Sequence, residues 1–310
     1  MQTLFELSKE YPTLPVAEIR ACLKIYGNFE EIYHNGVFVA EGNFDLDKIA
    51  ERLAMSFSIN EVIGRDEEEF FKNLKLDDTF KIEDGDLKFR RRLGEKIVGK
   101  TNAKVDLKNP DVVIRVIENF FCREVKKIDR KQYEERRPSK RPFSTPTTMH
   151  PRLARVLVNL SQIREKEVLL DPFCGTGGIL IEAGLIKAKI VGIEIKEELV
   201  KACERNLKFY GIKEFEIYNA DMRKMDLEVD AVVTDFPYGR ASHLSDKMEK
   251  LYREAFEKIA SWLRKGKKAV IGLPSLKFID ALEKHFIIEQ IHPAKVHKSL
   301  TRFFYVCSKP

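Results

Sequence analysis

The chain has 310 residues, 44% of them hydrophobic, so it can bury the cores of two or three domains and is not a disordered polymer. Its five cysteines (Cys22, Cys122, Cys174, Cys203, Cys307) are scattered and never spaced Cys-x-x-Cys, which argues against a disulfide framework or a self-contained zinc site. The net charge of +6 is uneven: eighteen Lys or Arg against eight Asp or Glu lie between Lys88 and Pro142, leaving the remainder acidic.

Over residues 1–65, Thr3–Leu7 and Gly36–Ala40 alternate as strands do, and Leu14–Tyr26 and Leu46–Met55 have helical spacing. They form a small α+β unit of ferredoxin-like type. Residues 66–133 read as a second small α/β unit. It has a helix at Glu67–Leu74, the basic stretch Lys88–Arg92 in or beside a strand, and a helix starting near Gly94. The turn Asn109-Pro-Asp111 then leads into the β-branched strand Val112–Ile117. A basic middle joined to an acidic remainder has the charge footprint of a polyanion-binding module attached to something else.

Residues 134–151 are rich in Pro, Ser, Thr and Arg and read as an extended connection. From residue 152 onward, strands at Val168–Leu170, Lys189–Ile195, Phe215–Asn219, Asp230–Thr234 and Lys268–Leu273 alternate with helices at Gly178–Lys187, Glu197–Tyr210 and Asp246–Leu263. That alternation predicts a mainly parallel, Rossmann-like α/β sheet covered on both faces. The tail, Phe286–His297 then Arg302–Ser308, predicts a closing antiparallel hairpin. No apolar run approaches the ~20 residues of a membrane span, and no signal-peptide pattern opens the chain, so a soluble cytoplasmic protein is expected.

The chemistry sits at strand ends. Asp171-Pro-Phe-Cys-Gly-Thr-Gly-Gly178 follows the first strand of this sheet, and its glycines permit a sharp turn and close approach of backbone to a ligand. It is not a Walker loop, because no Lys-Ser/Thr pair follows the glycines. Glu194 ends the second strand, where a carboxylate accepts from both hydroxyls of a ribose. Asp221 ends the third, where it either accepts from an adenine amine or caps a helix starting at Met222.

The fourth strand ends in Thr234-Asp-Phe-Pro-Tyr-Gly239. This spacing gathers a carboxylate (Asp235), a carbonyl (Phe236) held by a rigid proline (Pro237) and an aromatic ring (Tyr238). The fit is to an exocyclic amine, a poor nucleophile because its lone pair is delocalised into the base. Accepting both N–H groups at Asp235 and the Phe236 carbonyl favours a pyramidal nitrogen whose lone pair points outward. Tyr238 is placed to stack on the base.

Together the four strand ends resemble those of class I S-adenosylmethionine methyltransferases, and within them the amino-methylating branch marked by (Asp/Asn)-Pro-Pro-Tyr. Phe236 stands where that motif has its first proline. The resemblance implies S-adenosylmethionine as cofactor, with Asp171 and Gly175 against its methionine part and Phe173 beside them. It places Glu194 on the ribose, Asp221 on the adenine, and Asp235, Phe236, Pro237 and Tyr238 at the target amine.

Gly99-Lys-Thr-Asn-Ala-Lys-Val-Asp-Leu-Lys-Asn-Pro-Asp111 resembles the core of a THUMP domain, an RNA-binding module. The segment from Arg137 to Arg155 is similar to the junction in archaeal tRNA guanine-10 N2-methyltransferases. That family's order implies a ferredoxin-like domain (1–65), a THUMP domain (66–133), a linker (134–151) and a methyltransferase domain (152–310). The resemblance further implies methyl transfer to guanine N2 of tRNA, with Thr148 closing over the cofactor. Arg90, Arg91, Arg92, Arg152 and Arg155 would lie on phosphates, and a small zinc-containing activator subunit serves some members. The residues alone leave two alternatives open: another exocyclic base amine of RNA or DNA, and a tRNA-binding protein without catalysis.

Overall fold

The structure is a computed structural model that describes residues 2–146, 148–237, 246–297 and 300–310. The chain divides into two compact units, Met1–Asp129 and Arg130–Pro310.

In the first unit the elements are β1 (Gln2–Leu7), α1 (Leu14–Tyr26), β2 (Gly27–His34), β3 (Val37–Phe44), α2 (Leu46–Arg52) and β4 (Ser56–Gly64). They continue with α3 (Glu67–Asn73), β5 (Thr79–Ile82), α4 (Leu87–Lys100), β6 (Lys104–Val105), β7 (Val112–Ile117) and β8 (Phe120–Lys127). Because β4 pairs antiparallel with both β1 and β8, a single eight-stranded sheet of order β2-β3-β1-β4-β8-β7-β5-β6 spans the unit. Among the described residues, three apolar clusters lie along it. One holds Phe5, Ile19, Leu23, Phe38 and Ile59; the second holds Phe70, Phe80, Leu93, Ile97 and Ile114. The smallest lies around Leu4, Val37, Val39, Ile117 and Cys122.

The basic stretch Lys88–Arg92, expected in or beside a strand, is the first part of α4. Asp86 caps this helix by accepting from the Phe89 N–H at 2.7 Å. Phe89, Leu93 and Ile97 then recur every four residues against the second cluster, a helical period that decides the local structure. The helix fans the three arginines apart: Arg91 is exposed, Arg92 donates to Glu67 at 2.8 Å, and Arg90 is half-buried.

Arg115 on β7 stitches this sheet together. Its guanidinium donates to Asp84 (2.6 Å), Glu124 on β8 (2.9 Å), Glu6 on β1 (3.1 Å) and Ser58 on β4 (3.3 Å), and its side chain is 8% exposed. Burial opposes the charge, but the carboxylates outweigh it and push the guanidinium pKa up. Arg115→Met should leave three carboxylates without their shared cation and destabilise this unit by about 3 kcal/mol. Hydrogen exchange of the β7 and β8 amides measures it; protection equal to wild type would contradict the stitching role.

The second unit contains α5 (Lys131–Glu135), α6 (Pro151–Leu160), β9 (Val168–Asp171), α7 (Gly178–Leu185), β10 (Lys189–Glu194), α8 (Glu197–Phe209) and β11 (Phe215–Asn219). It continues through β12 (Val229–Asp235), α9 (Asp246–Trp262), β13 (Leu263–Leu273), α10 (Ile279–Glu283), β14 (Ile287–His297) and β15 (Leu300–Ser308). The sheet order is β11-β10-β9-β12-β13-β15-β14, with the first five strands parallel and β15 antiparallel between β13 and β14. This is the Rossmann-like sheet with its closing hairpin. Successive strands run outward from β9 through β10 to β11, and β12 then returns to the other side of β9. Such a switch point opens a crevice at the carboxyl ends of the strands.

The segment expected as an extended connection begins in the last two residues of α5 and contains a 3-10 turn at Pro138–Lys140. Its Arg136 is anchored on buried Glu182 of α7 by two hydrogen bonds of 2.9 and 3.0 Å. Among the described residues no helix is long and apolar enough to cross a membrane.

Candidate active site

A cleft of about 560 Å³ opens at those carboxyl ends, a size suited to a small-molecule ligand. Its walls bring together Thr148, Asp171, Phe173, Gly175, Glu194, Asp221, Asp235, Phe236 and Pro237, all singled out in the sequence. Tyr238 lies outside the described residues.

The loop between β9 and α7 turns on Gly175 (φ +51°) and Gly177 (φ +82°), conformations that other residues adopt only with strain. A Cβ on Gly177 would come within 2.7 Å of Cys203 Sγ, whereas one on Gly175 would meet nothing within 4 Å. The loop is therefore packed on one side and open to the cleft on the other. Thr148 Oγ1 lies 3.5 Å from Thr176 Oγ1 and accepts from the Thr145 N–H at 3.0 Å, which places it over this loop. Cys174 also lines the cleft, but its hydrogen bond with Cys203 and its burial raise its pKa well above the ordinary thiol range. Both effects disfavour the thiolate form.

Each carboxylate is held differently. Glu194 accepts from the Gly175 N–H (3.2 Å) through Oε2 and from the Lys196 N–H (2.9 Å) through Oε1. Those bonds fix its orientation and leave each oxygen further acceptor capacity for a diol. Asp221 caps the short helix at Met222–Lys224 by accepting from the Arg223 N–H, as one of the two sequence readings anticipated. The Arg223 side chain also grips it at 2.6–3.1 Å, and this lowers the Asp221 pKa. Capping and cleft-lining coexist, because the carboxylate that caps the short helix also forms part of the cleft wall.

Asp171, 2% exposed, accepts from Thr234 Oγ1 (2.7 Å) and the Phe173 N–H (3.1 Å). Burial nevertheless pushes its pKa up to about 7, and the nearby charges of Asp235 and Glu194 add to the effect.

Asp235 ends β12 opposite Gly272 of β13. A Cβ on Gly272 would lie 2.8 Å from Asp235 Oδ1 and 2.9 Å from the Phe304 ring, so the absent side chain is what leaves the carboxylate its place. Arg302 at the start of β15 puts Nη1 3.0 Å from Asp235 Oδ2. Phe236 donates its N–H to the Gly272 carbonyl at 3.0 Å, a bond that proline cannot make. Its ring packs against Phe173, Tyr252 and Phe256 with centroids 4.8, 4.9 and 5.5 Å away. Backbone bond and aromatic packing thus supply the rigidity that the motif's first proline would give. Tyr252 donates its hydroxyl to the Pro237 carbonyl at 2.6 Å and braces the corner from α9.

Arg155 behaves differently from the sequence reading. Arg155 is 2% exposed and donates to Glu182 at 3.2 Å, while Glu182 also takes Arg136. Expected on phosphate, Arg155 is instead committed to compensating a buried carboxylate. Arg152 lies 3.7 Å from Glu134 and keeps 20% of its side chain exposed. Sequence reasoning missed Arg302, Arg223, Tyr252 and Gly272. The one local signal was a cation heading the apolar run Phe303–Cys307, and nothing local ties it to Asp235.

The raised pKa of Asp171 makes a stability prediction. A carboxyl whose folded pKa exceeds its unfolded value stabilises the fold fully below about pH 4 and loses that contribution as pH rises through about 7. Between those limits wild type should lose up to about 1.4 kcal/mol per pH unit relative to Asp171→Asn, which keeps the acceptor oxygen without the charge. Urea unfolding at several pH values tests this. Parallel pH profiles for the two proteins would refute the buried, ionisable Asp171.

The donors and acceptors here suit a nucleoside carrying a charged tail: an open glycine turn, a pre-oriented carboxylate at the second strand end, and another at the third. The family model described as RMKL-like, methyltransferase domain, matches residues 138–303. A second model, described as DNA methylase, matches residues 47–205 and so stops short of Asp235. In overall fold the chain is similar to TrmN from Thermus thermophilus, at 18% identity over the whole of both chains with a TM-score of 0.54. It is 30% identical to the tRNA (guanine(10)-N2)-dimethyltransferase of Pyrococcus abyssi over 95% of this chain and 96% of that protein. To the protein of the same name from Methanothermobacter thermautotrophicus it is 37% identical over the full length of both. With that identity running end to end and the strand-end acids gathered in one cleft, the chain belongs to the tRNA (guanine(10)-N2)-dimethyltransferase family.

Proposed function

We propose that this protein transfers methyl groups from S-adenosylmethionine to N2 of guanosine 10 in tRNA, in the cytoplasm, proceeding to N2,N2-dimethylguanosine. The observation that carries the reading is Asp235 with its Phe236-Pro237 corner at the end of the strand next to β9, in the same cleft as Asp171, Glu194 and Asp221. Glu194 and Asp221 would hold the nucleoside part of the cofactor, and the Asp171–Gly175 loop with Thr148 the methionine part. When bound, S-adenosylmethionine supplies a methyl group on a sulfonium, an electrophile that needs no further activation.

The chain's own work is positioning. Asp235 and the Phe236 carbonyl accept the two N–H groups of the guanine amine and turn its lone pair toward the cofactor side of the cleft. No strong base is required beforehand, because the alkylated nitrogen is acidic and gives up its proton readily, with Asp235 as the nearest acceptor. The Gly272 bond and the aromatic cluster hold the corner while the base enters.

RNA docking is assigned to the THUMP-like residues 66–133, all but the last four of which lie in the first unit, with residues 1–65 as the ferredoxin-like part. On α4, Lys88 and Arg91 are exposed one turn apart, while Arg90 and Arg92 contribute less because one is half-buried and the other bound to Glu67. The reading extends to a small zinc-containing activator subunit, and its addition should raise methylation by the isolated chain.

Two measurements test the assignment. Nucleosides from tRNA incubated with enzyme and labelled cofactor should carry the label on guanosine as the N2-methyl and N2,N2-dimethyl forms. Asp235→Ala should abolish that product while cofactor affinity stays within a few fold. Glu194→Ala should instead weaken cofactor binding about ten- to hundredfold, the range for losing charge-assisted hydrogen bonds. Label on adenosine or cytidine would replace guanine by another amine, and no label at all would leave a binding protein. The RNA surface is tested separately by reversing Lys88 and Arg91 to Glu in a filter-binding titration over salt concentration. Affinity should drop, and the slope of log K against log salt should shrink by roughly one for each phosphate that is no longer neutralised. An unchanged slope would move the docking surface elsewhere.

A further inference from the structure

We propose that Arg302 is a positioning residue for methyl transfer: from the antiparallel tail strand it clamps one oxygen of Asp235 and keeps that carboxylate an ionised, fixed acceptor for the target amine. The inference rests on the reading of Asp235 as the amine's acceptor.

Topology delivers the arginine. The parallel strands present only their carboxyl ends to the cleft, whereas antiparallel β15 brings its first residues there. The pairs Leu273–Phe303 and Gly272–Phe304 set Arg302 just beyond the carboxyl end of β13. Arg302 and Asp235 both line the cleft, 3.0 Å apart between Nη1 and Oδ2, with side chains 4% and 17% exposed.

Among the described residues, the charged and titratable groups acting on Asp235 explain why it needs this cation. From β9 comes Asp171, a second carboxyl in the same cleft, on which Glu194 of β10 also bears. From α9 comes the buried Tyr252 hydroxyl, which the Asp235 charge also disfavours as a phenolate. β13 contributes Gly272, the residue paired with Asp235. Two carboxyls sharing a low-dielectric site resist joint ionisation, so one must protonate unless a cation offsets them. Protonated Asp235 would offer an O–H where the amine needs an acceptor, and the nitrogen would be deprived of the hydrogen bond that favours its pyramidal form. Arg302 offsets the charge on Asp235, and the pair leaves the raised pKa to Asp171.

The test compares Arg302→Met, Arg302→Gln and Arg302→Lys with wild type and Asp235→Asn in single-turnover methylation of tRNA across pH, with cofactor affinity measured alongside. Arg302→Met should slow transfer at neutral pH by about a hundredfold, the scale of losing orientation at a reacting group, with cofactor affinity within a few fold. Its rate should recover as pH rises, moving the acidic limb of the profile up by at least about one unit. Arg302→Gln should show the same displaced limb and carries the test if Arg302→Met fails to fold. Arg302→Lys, which keeps a charge without the planar fork, should restore the wild-type limb. Slow transfer at every pH with an unmoved limb, or a lysine variant as impaired as methionine, would overturn the proposal. No methylated guanosine from wild type would instead sink the functional reading, and an active Asp235→Asn would sink the role of Asp235. Wild-type pH profiles in the Arg302 variants, with the other two arms as expected, would remove this inference alone.

Discussion

Carboxylates at or just beyond the ends of four adjacent strands put concentrated negative charge against the apolar edge of one sheet, and the site depends on how each carboxylate is kept there. Asp171 is buried deeply enough that its proton leaves only near neutrality. Glu194 is pinned by two backbone N–H groups, Asp221 by Arg223, and Asp235 faces Arg302. Neutralisation, backbone donation and ion pairing answer the same cost, that of holding a charge out of water. The cleft that results has fixed, pre-oriented acceptors, which complement a ligand that presents hydrogen-bond donors.

Buried arginines use part of the chain's positive charge internally. Arg115 joins β1, β4 and β8 to the loop after β5 in the first unit, and Arg136 and Arg155 together compensate Glu182 in the second. The eighteen cations between Lys88 and Pro142 therefore overstate the basic surface, since Arg115, Arg136 and Arg141 are all buried. Lys88, Arg91, Lys104 and Lys108 are exposed, and they lie on or beside α4 and β6. A charge count along sequence identifies a basic segment without saying which of its charges reach solvent.

Phe236 shows how one motif position can be filled in two physical ways. Proline rigidifies by its ring and gives up an N–H; phenylalanine keeps the N–H for the Gly272 carbonyl and buries its ring among Phe173, Tyr252 and Phe256. The acceptor corner survives the exchange because the neighbouring strand and α9 are built to receive it.

The strand-end acids, the glycine turn and the alternation of β9 to β13 with their helices were legible in the residues. Each is a local pattern: a period of two or about 3.6, a glycine where φ must be positive, an acid where a strand stops. The resemblance carried by Asp171–Gly178 and Asp235–Tyr238 extended that reading to the chemistry. Where local signals competed, the reading slipped. Lys88–Arg92 was expected in or beside a strand because its charges hid the Phe89, Leu93, Ile97 spacing that makes α4 a helix. What only the tertiary structure decided is which distant residues become partners. Arg302 meets Asp235 from 67 positions away, Arg155 turns inward to Glu182, and β4 joins β1 to β8 in one sheet. Those outcomes follow from strand order and from the need to pair every buried charge, and neither is written in the residues that flank it.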